Sequence, residues 1–319
     1  MSLGMYFIRR ILSLIPFTIG ISVLIFFMFA LTPIDPVNSV AGLDPGLQKN
    51  RDRIAASWGL DKPIPVRYWN WAYPMFTRLD FGESWTSKGV PVTDKFVPYV
   101  GNTAWLFGIN FILSLIFATV LGIVASTNHN SVFDQITLFM TLVGFSVPNF
   151  VLGLVIQQSV ASWSNQKISA IFYTAGGKSL WENWPAIIAA ELTMLVGGVA
   201  FTTRLVRSQM LNVLRQNYIR TARAKGLTER TVIYGHALRN ALLPFVTVIA
   251  LSLPGILSGS AIIEQVFNFP GVGRSLIRAA LAFDMPTVLA VNMFFGTLSI
   301  FMLIIADIAY GVVDPRIKF

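Results

Sequence analysis

Long uncharged runs dominate the hydrophobic pattern of this 319-residue chain. A helix needs about 20 consecutive apolar residues to cross the hydrocarbon core of a bilayer. Six segments meet this requirement and predict six transmembrane helices, at Ile11–Leu31, Thr103–Ser126, Ile136–Trp163, Trp184–Phe201, Asn240–Ile263 and Met285–Ala306. The pattern therefore predicts an all-α membrane protein.

The segment 33–98, between the first two predicted helices, is too long for a simple connector. It contains Trp58, Trp69, Trp71 and Trp85, and its charges nearly balance. We expect it to fold as a small, partly helical cap. Its aromatic side chains either form the cap's core together with an interfacial belt, or offer a docking surface to a soluble receptor.

A second polar segment, residues 208–239, is strongly basic and predicts two short helices with a corner at Gly226. An apolar stripe marks the first helix, at Leu211, Leu214, Tyr218 and Ala222. Gly226 suits a helix C-terminus, and Thr228 suits the N-cap of the next helix. Such a segment is either a basic helix resting on anionic headgroups or a rigid lever held by a soluble partner.

Composition agrees with a membrane protein. The chain is 54% hydrophobic and 12% charged, whereas soluble domains have about 25% charged residues. The net charge of +9 comes from basic residues beside apolar runs, which is the positive-inside pattern rather than a nucleic-acid-binding face. Cysteine is absent and only two histidines occur, which argues against thiolate or histidine metal sites.

The same basic residues predict the orientation. If the N-terminus is cytoplasmic, twelve Lys and Arg residues fall in short inner segments and four in short outer loops; eight of the twelve lie between residues 204 and 239. Lysine and arginine are enriched in cytoplasmic loops. Both termini and the segment 208–239 are therefore expected in the cytoplasm.

Two polar residues within the apolar regions are candidates for a translocation pathway, Glu191 and Asn149. A charge at the centre of a bilayer costs about 2.5–3.5 kcal/mol on insertion scales. Glu191 either lines a pathway or accepts a local hydrogen bond, and the sequence leaves both readings open.

Seven motifs carry a more specific resemblance. They are Tyr6–Arg10, Leu31–Pro36, Gly59–Pro63, Asp80–Gly82, Tyr218–Gly226 continuing to Pro244, Glu264–Gly273 and Asp314–Ile317. With these motifs in this order, the chain resembles the membrane permease subunits of ABC importers over its whole length. The resemblance is to the oligopeptide, dipeptide and nickel branch, and the chain is similar to the subunit termed B. Arg220-Thr-Ala stands where the general family has Glu-Ala-Ala.

The resemblance implies a type I ABC importer permease fold, with residues 1–32 as N-terminus and first helix, 33–98 as an extracellular cap and 99–319 as a five-helix core. It implies that a cytoplasmic ATPase grips the segment around Tyr218, Arg220, Thr221, Ala222, Arg223, Ala224, Lys225 and Gly226. Trp58, Trp69 and Trp71 become candidates for docking an extracellular or periplasmic solute-binding protein.

The partners implied by the resemblance are a paralogous permease subunit forming a heterodimer, two ATPase subunits and the binding protein, in a bacterial inner or plasma membrane. The chain itself is expected to hold no cofactor and not to be an enzyme, since ATP and Mg²⁺ belong to the ATPases. Peptides are the expected substrate, with nickel chelates, glutathione or another small solute as alternatives.

An ATP-independent secondary transporter is the alternative from another class. Such proteins show inverted repeats and ionisable residues near the membrane midplane. The predicted spans are almost uncharged and no internal repeat is evident, so the sequence favours the ABC permease.

Overall fold

The computed structural model of the chain describes residues 3–33, 35–37, 50–164, 184–242, 252 and 261–313. The fifth predicted span, Asn240–Ile263, lies mostly outside these residues, as do Pro244 and Asp314–Ile317. Within the described residues the fold is all-helical, and the one β-type pairing is an isolated bridge between Glu83 and Pro91.

The described helices are numbered here in chain order. They are α1 Leu3–Ala30, α2 Arg51–Ser57, α3 Ile64–Arg78, α4 Val92–Thr127, α5 Val132–Ser146, α6 Asn149–Ser164, α7 Trp184–Leu214, α8 Asn217–Ala224, α9 Leu238–Ala241, α10 Ala261–Val266, α11 Val272–Leu281 and α12 Met285–Val313. A π-helical turn, Thr231–Ala237, leads into α9. Of these helices, α1, α4, α7 and α12 are long and apolar enough to cross a membrane.

Close contacts show that α4 and α7 run parallel. A Cβ at Gly122 would lie 2.7 Å from the Cβ of Val206, and one at Gly198 would lie 2.7 Å from Oγ of Ser114. In both contacts the α7 residue is 84 positions after the α4 residue. A constant offset means that both helices point the same way, so they begin at the same face of the membrane.

The α5–α6 pair makes the return crossing between α4 and α7. Asp134 contacts Arg207, Gly144 faces Ala200, and Gly153 faces Thr193. Positions thus rise along α5–α6 while they fall along α7, which is an antiparallel arrangement. The pair therefore counts as one crossing. Together with α1, α4, α7 and α12, it brings the number of crossings among the described residues to five.

The prediction of one continuous helix over Ile136–Trp163 is wrong, because α5 and α6 meet at an angle of 97°. Pro148 has no N–H to donate and disfavours the helical conformation in the residue before it. Val147 is accordingly extended, with ψ of 121°. The span is interrupted at this point and then continues as α6.

Contacts between α1 and α12 complete the arrangement. A Cβ at Gly296 would lie 2.9 Å from Ile21, while Phe26 and Ala30 share a cavity with Met285 and Leu289. The two helices are therefore antiparallel. The end of α1 and the starts of α4 and α12 meet at the cap, so the cap lies on one face of the bundle, and the ends of α4 and α7 lie on the other.

Two predicted boundaries shift. The helix α4 begins at Val92, so the last residues assigned to the cap, 92–98, form the first turns of a spanning helix. The predicted fourth span, Trp184–Phe201, extends as α7 to Leu214. The helix α7 therefore contains residues 208–214, which are the first seven residues of the basic segment 208–239 that the sequence predicts to lie outside the membrane.

Candidate functional site

The helical conformation is interrupted at Arg215 and Gln216, and the basic helix α8 starts after this interruption. Gln216 is extended, with ψ of 150°, and its carbonyl accepts hydrogen bonds from the N–H groups of Ile219 at 3.1 Å and Arg220 at 3.3 Å. The prediction of a stripe on one helix from Leu211 to Ala222 is therefore wrong. The break redirects the chain, so the pair of α8 side chains that faces the core includes Ile219 in place of the predicted Tyr218.

That pair is Ile219 and Ala222, both buried. They belong to an apolar cluster, called here the α8 cluster, whose buried members are Ile123, Val206, Met210, Ile219, Ala222, Val232, Ala237 and Ala241. The cluster also contains residues of the π-helical turn, of α4 and of α7. The α8 cluster thereby connects α8, through the π-helical turn, with two spanning helices.

The corner after α8 has the predicted chemistry. Gly226 has a φ of +76°, its N–H donates to the carbonyl of Arg223 at 2.9 Å, and Leu227 N–H donates to Ala222 at 3.4 Å. This pair of bonds is the Schellman ending of a helix, which favours glycine. Oγ1 of Thr228 accepts from the N–H of Thr231 at 3.4 Å, as an N-cap does.

The other face of α8 is exposed and mainly cationic. Its exposed side chains include Tyr218, Arg220, Thr221, Arg223, Ala224 and Lys225. Arg223 pairs across the corner with Glu229, through Nε and Oε1 at 2.7 Å, and Asn240 donates to the Tyr218 hydroxyl at 3.0 Å. These two contacts tie α8 to the segment beyond the corner, so the exposed face is presented as a single surface.

The two pathway candidates lie at different depths. Glu191 is buried, and its Oε2 accepts from Nδ2 of Asn110 at 2.9 Å; Oε1 has no hydrogen-bond partner among the described residues. Asn149 is exposed and lies beside Gly197, whose added Cβ would be 2.7 Å from its Oδ1. Gly197 is about 9 Å farther along α7 than Glu191, at 1.5 Å per residue, so the structure does not join the two candidates in one cluster.

The three tryptophans proposed for docking have different surroundings. Trp58 stacks on Trp85 with ring centroids 4.3 Å apart, and Trp71 stacks on Phe26 of α1 at 5.5 Å. Both are partly buried. Trp69 is 64% exposed. Of the three, Trp69 therefore has the side chain most available to another molecule.

A cavity of about 1250 Å³ lies between the cap and the neighbouring ends of α1 and α12. The stacked Trp58 and Trp85 line it, together with Trp71 and Arg67. Burial lowers the pKa of the Arg67 guanidinium. The cavity thus combines aromatic walls with a partly desolvated cation at the mouth of the bundle.

The sequence analysis missed the residue that fastens the cap, Asp284, which directly precedes α12. Its buried carboxylate accepts from Oγ of Ser84 at 2.5 Å, from the N–H of Trp85 at 2.9 Å and from Oγ1 of Thr86 at 3.0 Å. It also accepts from Thr287 in the first turn of α12 at 2.9 Å. The only sequence signal was an acidic residue before a helix, which gives no indication of a partner 200 positions away.

The motif Glu264–Gly273 builds a second buried carboxylate site. Glu264 accepts from Oγ1 of Thr103 and from the N–H of Arg274, both at 2.8 Å. Gly271 leaves room for the carboxylate, since an added Cβ would lie 2.3 Å from it. The motif therefore fixes the N-terminus of α11 against α4.

Comparison with known proteins agrees with this architecture. The family model described as "Binding-protein-dependent transport system inner membrane component" matches residues 118–319, and that of its N-terminal region matches residues 3–91.

Three relatives align with 98% of this chain. The oligopeptide transport system permease protein AppB of Bacillus subtilis is 33% identical and is itself covered over 99% of its length. The dipeptide transport system permease protein DppB of Bacillus subtilis is 32% identical, with 97% of its length covered. The glutathione transport system permease protein GsiC of Pectobacterium atrosepticum is 32% identical, with 99% covered. Because one family model alone spans more than half of the chain and these relatives align along nearly all of it, the chain belongs to the inner membrane components of binding-protein-dependent transport systems, the permease subunits of ABC importers.

Proposed function

We propose that this chain forms half of the translocation pathway of an ATP-driven importer of short peptides. The relatives that align along its length carry the names of oligopeptide, dipeptide and glutathione permeases, and glutathione is itself a small peptide. A paralogous permease subunit supplies the other half of the pathway. A separate solute-binding protein delivers the substrate at the cap face.

The observation that carries the proposal is the two-sided character of α8. One side, with Ile219 and Ala222, is enclosed by the α8 cluster, and the other is exposed and cationic. A helix meant only to rest on lipid headgroups needs an exposed apolar face, whereas the apolar face of α8 is already used inside the protein. The exposed face fits a groove of a soluble partner instead.

That partner is a cytoplasmic ATPase, with one copy on each permease subunit. ATP and Mg²⁺ bind to the ATPases, and this chain supplies no group to hydrolysis. When the ATPases close, they displace α8, and the α8 cluster transmits the movement to α4 and α7. Because these helices are parallel and closely packed, they move together and carry Glu191 and Asn110 with them.

This assignment places both termini and α8 in the cytoplasm, and the cap outside the cell membrane. The positive-inside pattern supports it, since eight basic residues lie between positions 204 and 239.

Uptake of a labelled dipeptide and tripeptide into reconstituted vesicles tests the proposal. The complete assembly is compared with one that lacks the ATPases and with one that holds an ATPase unable to hydrolyse ATP. We expect peptide uptake only with the active complete assembly. Uptake driven by an ion gradient without ATPases would identify a secondary transporter, and import of nickel chelate but not peptide would change the substrate.

A further inference from the structure

The cap helix α3 has three distinct faces. Its first face packs towards α1 and carries Tyr68, Trp71, Ala72 and Met75. Its second face is apolar yet exposed, with Val66 at 45%, Trp69 at 64%, Tyr73 at 51% and Phe76 at 44%. At 100° per residue these four positions fall within an arc of about 80°. The polar residues Arg67, Asn70, Thr77 and Arg78 occupy the remaining side.

The contacts of α3 place it beside α1 rather than above it. The hydroxyl of Tyr68 is 2.8 Å from Oγ of Ser22, and Trp71 stacks on Phe26. The apolar span of α1 ends at Ala30. At 1.5 Å per residue, Phe26 lies about 6 Å and Ser22 about 12 Å below that end. The contact face of α3 is therefore level with the outermost turns of a membrane-spanning helix.

The outer turns of α1 also expose apolar side chains, on the side of α1 turned away from α3. At the same level, α1 exposes Leu24 at 60% and Met28 at 64%. Trp and Tyr favour the boundary between headgroups and acyl chains, because each combines an apolar ring with a polar group. Amphipathic helices at this boundary bury their apolar face by about 5–10 Å, which matches the depth given by Phe26.

We propose that α3 is an interfacial membrane helix, with Val66, Trp69, Tyr73 and Phe76 inserted at the boundary between headgroups and acyl chains. The cap is thereby anchored to the bilayer as well as to α1. Trp69 contacts lipid in this arrangement and is not part of a receptor platform. The inference needs only that α1 crosses a membrane, and it does not depend on the substrate or on the ATPases.

The absence of cysteine from the chain permits a direct test. Single cysteines replace Trp69 or Asn70, which are adjacent, exposed and on different faces of α3. Each variant is labelled with a small fluorophore and reconstituted as the complete transporter in nanodiscs. We expect brominated lipids to quench the label at position 69 about threefold or more over the label at position 70. Aqueous iodide should show the opposite order.

Three outcomes would overturn the inference. Stronger iodide quenching at position 69, with protection on addition of the solute-binding protein, would make the stripe a docking surface. Stronger iodide quenching without such protection would place it in water. Quenching by neither reagent would mean that another subunit covers it. If Trp69→Cys fails to assemble, Tyr73→Cys provides the same comparison on the same stripe.

Discussion

Asp134 and Arg207 form a bidentate ion pair, although 73 positions separate them in the sequence. Nε of Arg207 donates to Oδ1 of Asp134 at 2.5 Å, and Nη2 donates to Oδ2 at 2.7 Å. The Asp134 side chain is 1% exposed and that of Arg207 is 14% exposed. The pair joins the start of α5 to α7 on the membrane face where α8 lies, so it holds these two helices together near α8.

The first prediction concerns this ion pair. Removing one partner of a buried pair leaves an uncompensated charge and costs about 3–5 kcal/mol. Asp134→Ala and Arg207→Ala should each lower the thermal stability of the purified complex. The double variant should be less destabilised than the sum of the two, by a coupling energy of about 1–3 kcal/mol.

Thermal inactivation curves of all four proteins measure this coupling. Arg204→Ala is the matched control, since Arg204 is an exposed arginine one turn earlier on α7. Strict additivity of the Asp134 and Arg207 substitutions would contradict the finding.

The second prediction concerns coupling through α8. Gly226 has a φ of +76°, where a side chain costs about 1 kcal/mol or more and a β-branched one is a clear outlier. Gly226→Val should redirect the exposed face of α8, abolish uptake and weaken ATPase association or stimulation. Ala224→Asp should act similarly, by placing a negative charge in the contact face. ATP hydrolysis and peptide uptake in reconstituted vesicles measure both effects.

Arg230→Ala is the control for coupling, because Arg230 is exposed and lies beyond the corner; its effect should be milder. Docking of the solute-binding protein should be largely intact in all three variants, since the cap is on the opposite face. Normal coupled transport by both Gly226→Val and Ala224→Asp would rule out α8 as the coupling element.

The third prediction is the orientation of the two faces. Arg230 lies beyond α8 and Lys88 lies in the cap, and both are exposed. In intact cells, an impermeant thiol reagent should label Lys88→Cys but not Arg230→Cys. After permeabilisation it should label both. The reverse pattern would invert the proposed topology.

The fourth prediction concerns the attachment of the cap. Four groups donate hydrogen bonds to the two carboxylate oxygens of Asp284. Asp284→Asn keeps the size of the side chain but removes its charge and replaces one of the two acceptor oxygens with an amide nitrogen. Hydrogen bonds to charged groups contribute about 1.5–3 kcal/mol each. The variant should show a lower melting temperature and faster proteolysis of the cap than wild type. Asp61→Asn, at an exposed cap position, should show neither change.

The fifth prediction tests the space beside Glu264. A Cβ at Gly271 would lie 2.3–2.4 Å from the Glu264 carboxylate. Gly271→Ala must therefore displace the carboxylate from Thr103 and Arg274, and overpacking of this kind typically costs about 1–3 kcal/mol. Gly101→Ala, whose added Cβ would have no atom from another part of the fold within 4 Å, should leave stability unchanged or raise it. Equal melting temperatures for the two variants would contradict the packing of this site.

The sequence was sufficient to locate the described spans, although not the interruption at Val147 and Pro148, because uninterrupted apolar runs have few other uses. It was also sufficient for the corner after α8, because Gly226 and Thr228 are local signals. It failed where tertiary packing overrides the periodic pattern. Leu211 and Ala222 share a helical spacing, yet the break at Gln216 puts them on two helices, and Ile219 packs in the α8 cluster where the pattern predicted Tyr218.

The partners of Asp134, Asp284 and Glu264 could not be read from the sequence either. Each carboxylate bonds to groups that are brought close only by the packing of helices distant along the chain. The sequence pattern singled out the cap tryptophans but did not indicate on which face of the cap each one lies. Only the contacts of α3 with Ser22 and Phe26 reveal which rings point into the cap and which point away.

The bend between α5 and α6 has a consequence for solvation. The ends of two helices meet there, and helix ends leave backbone carbonyl and N–H groups without intrahelical partners. Asn149 at the bend lies beside Gly197, well inside the crossing made by α7. Hydrocarbon cannot hydrate these groups, and irregular backbone at this depth persists only against protein or water. The bend therefore marks a flank of the subunit from which acyl chains are excluded in the assembled transporter.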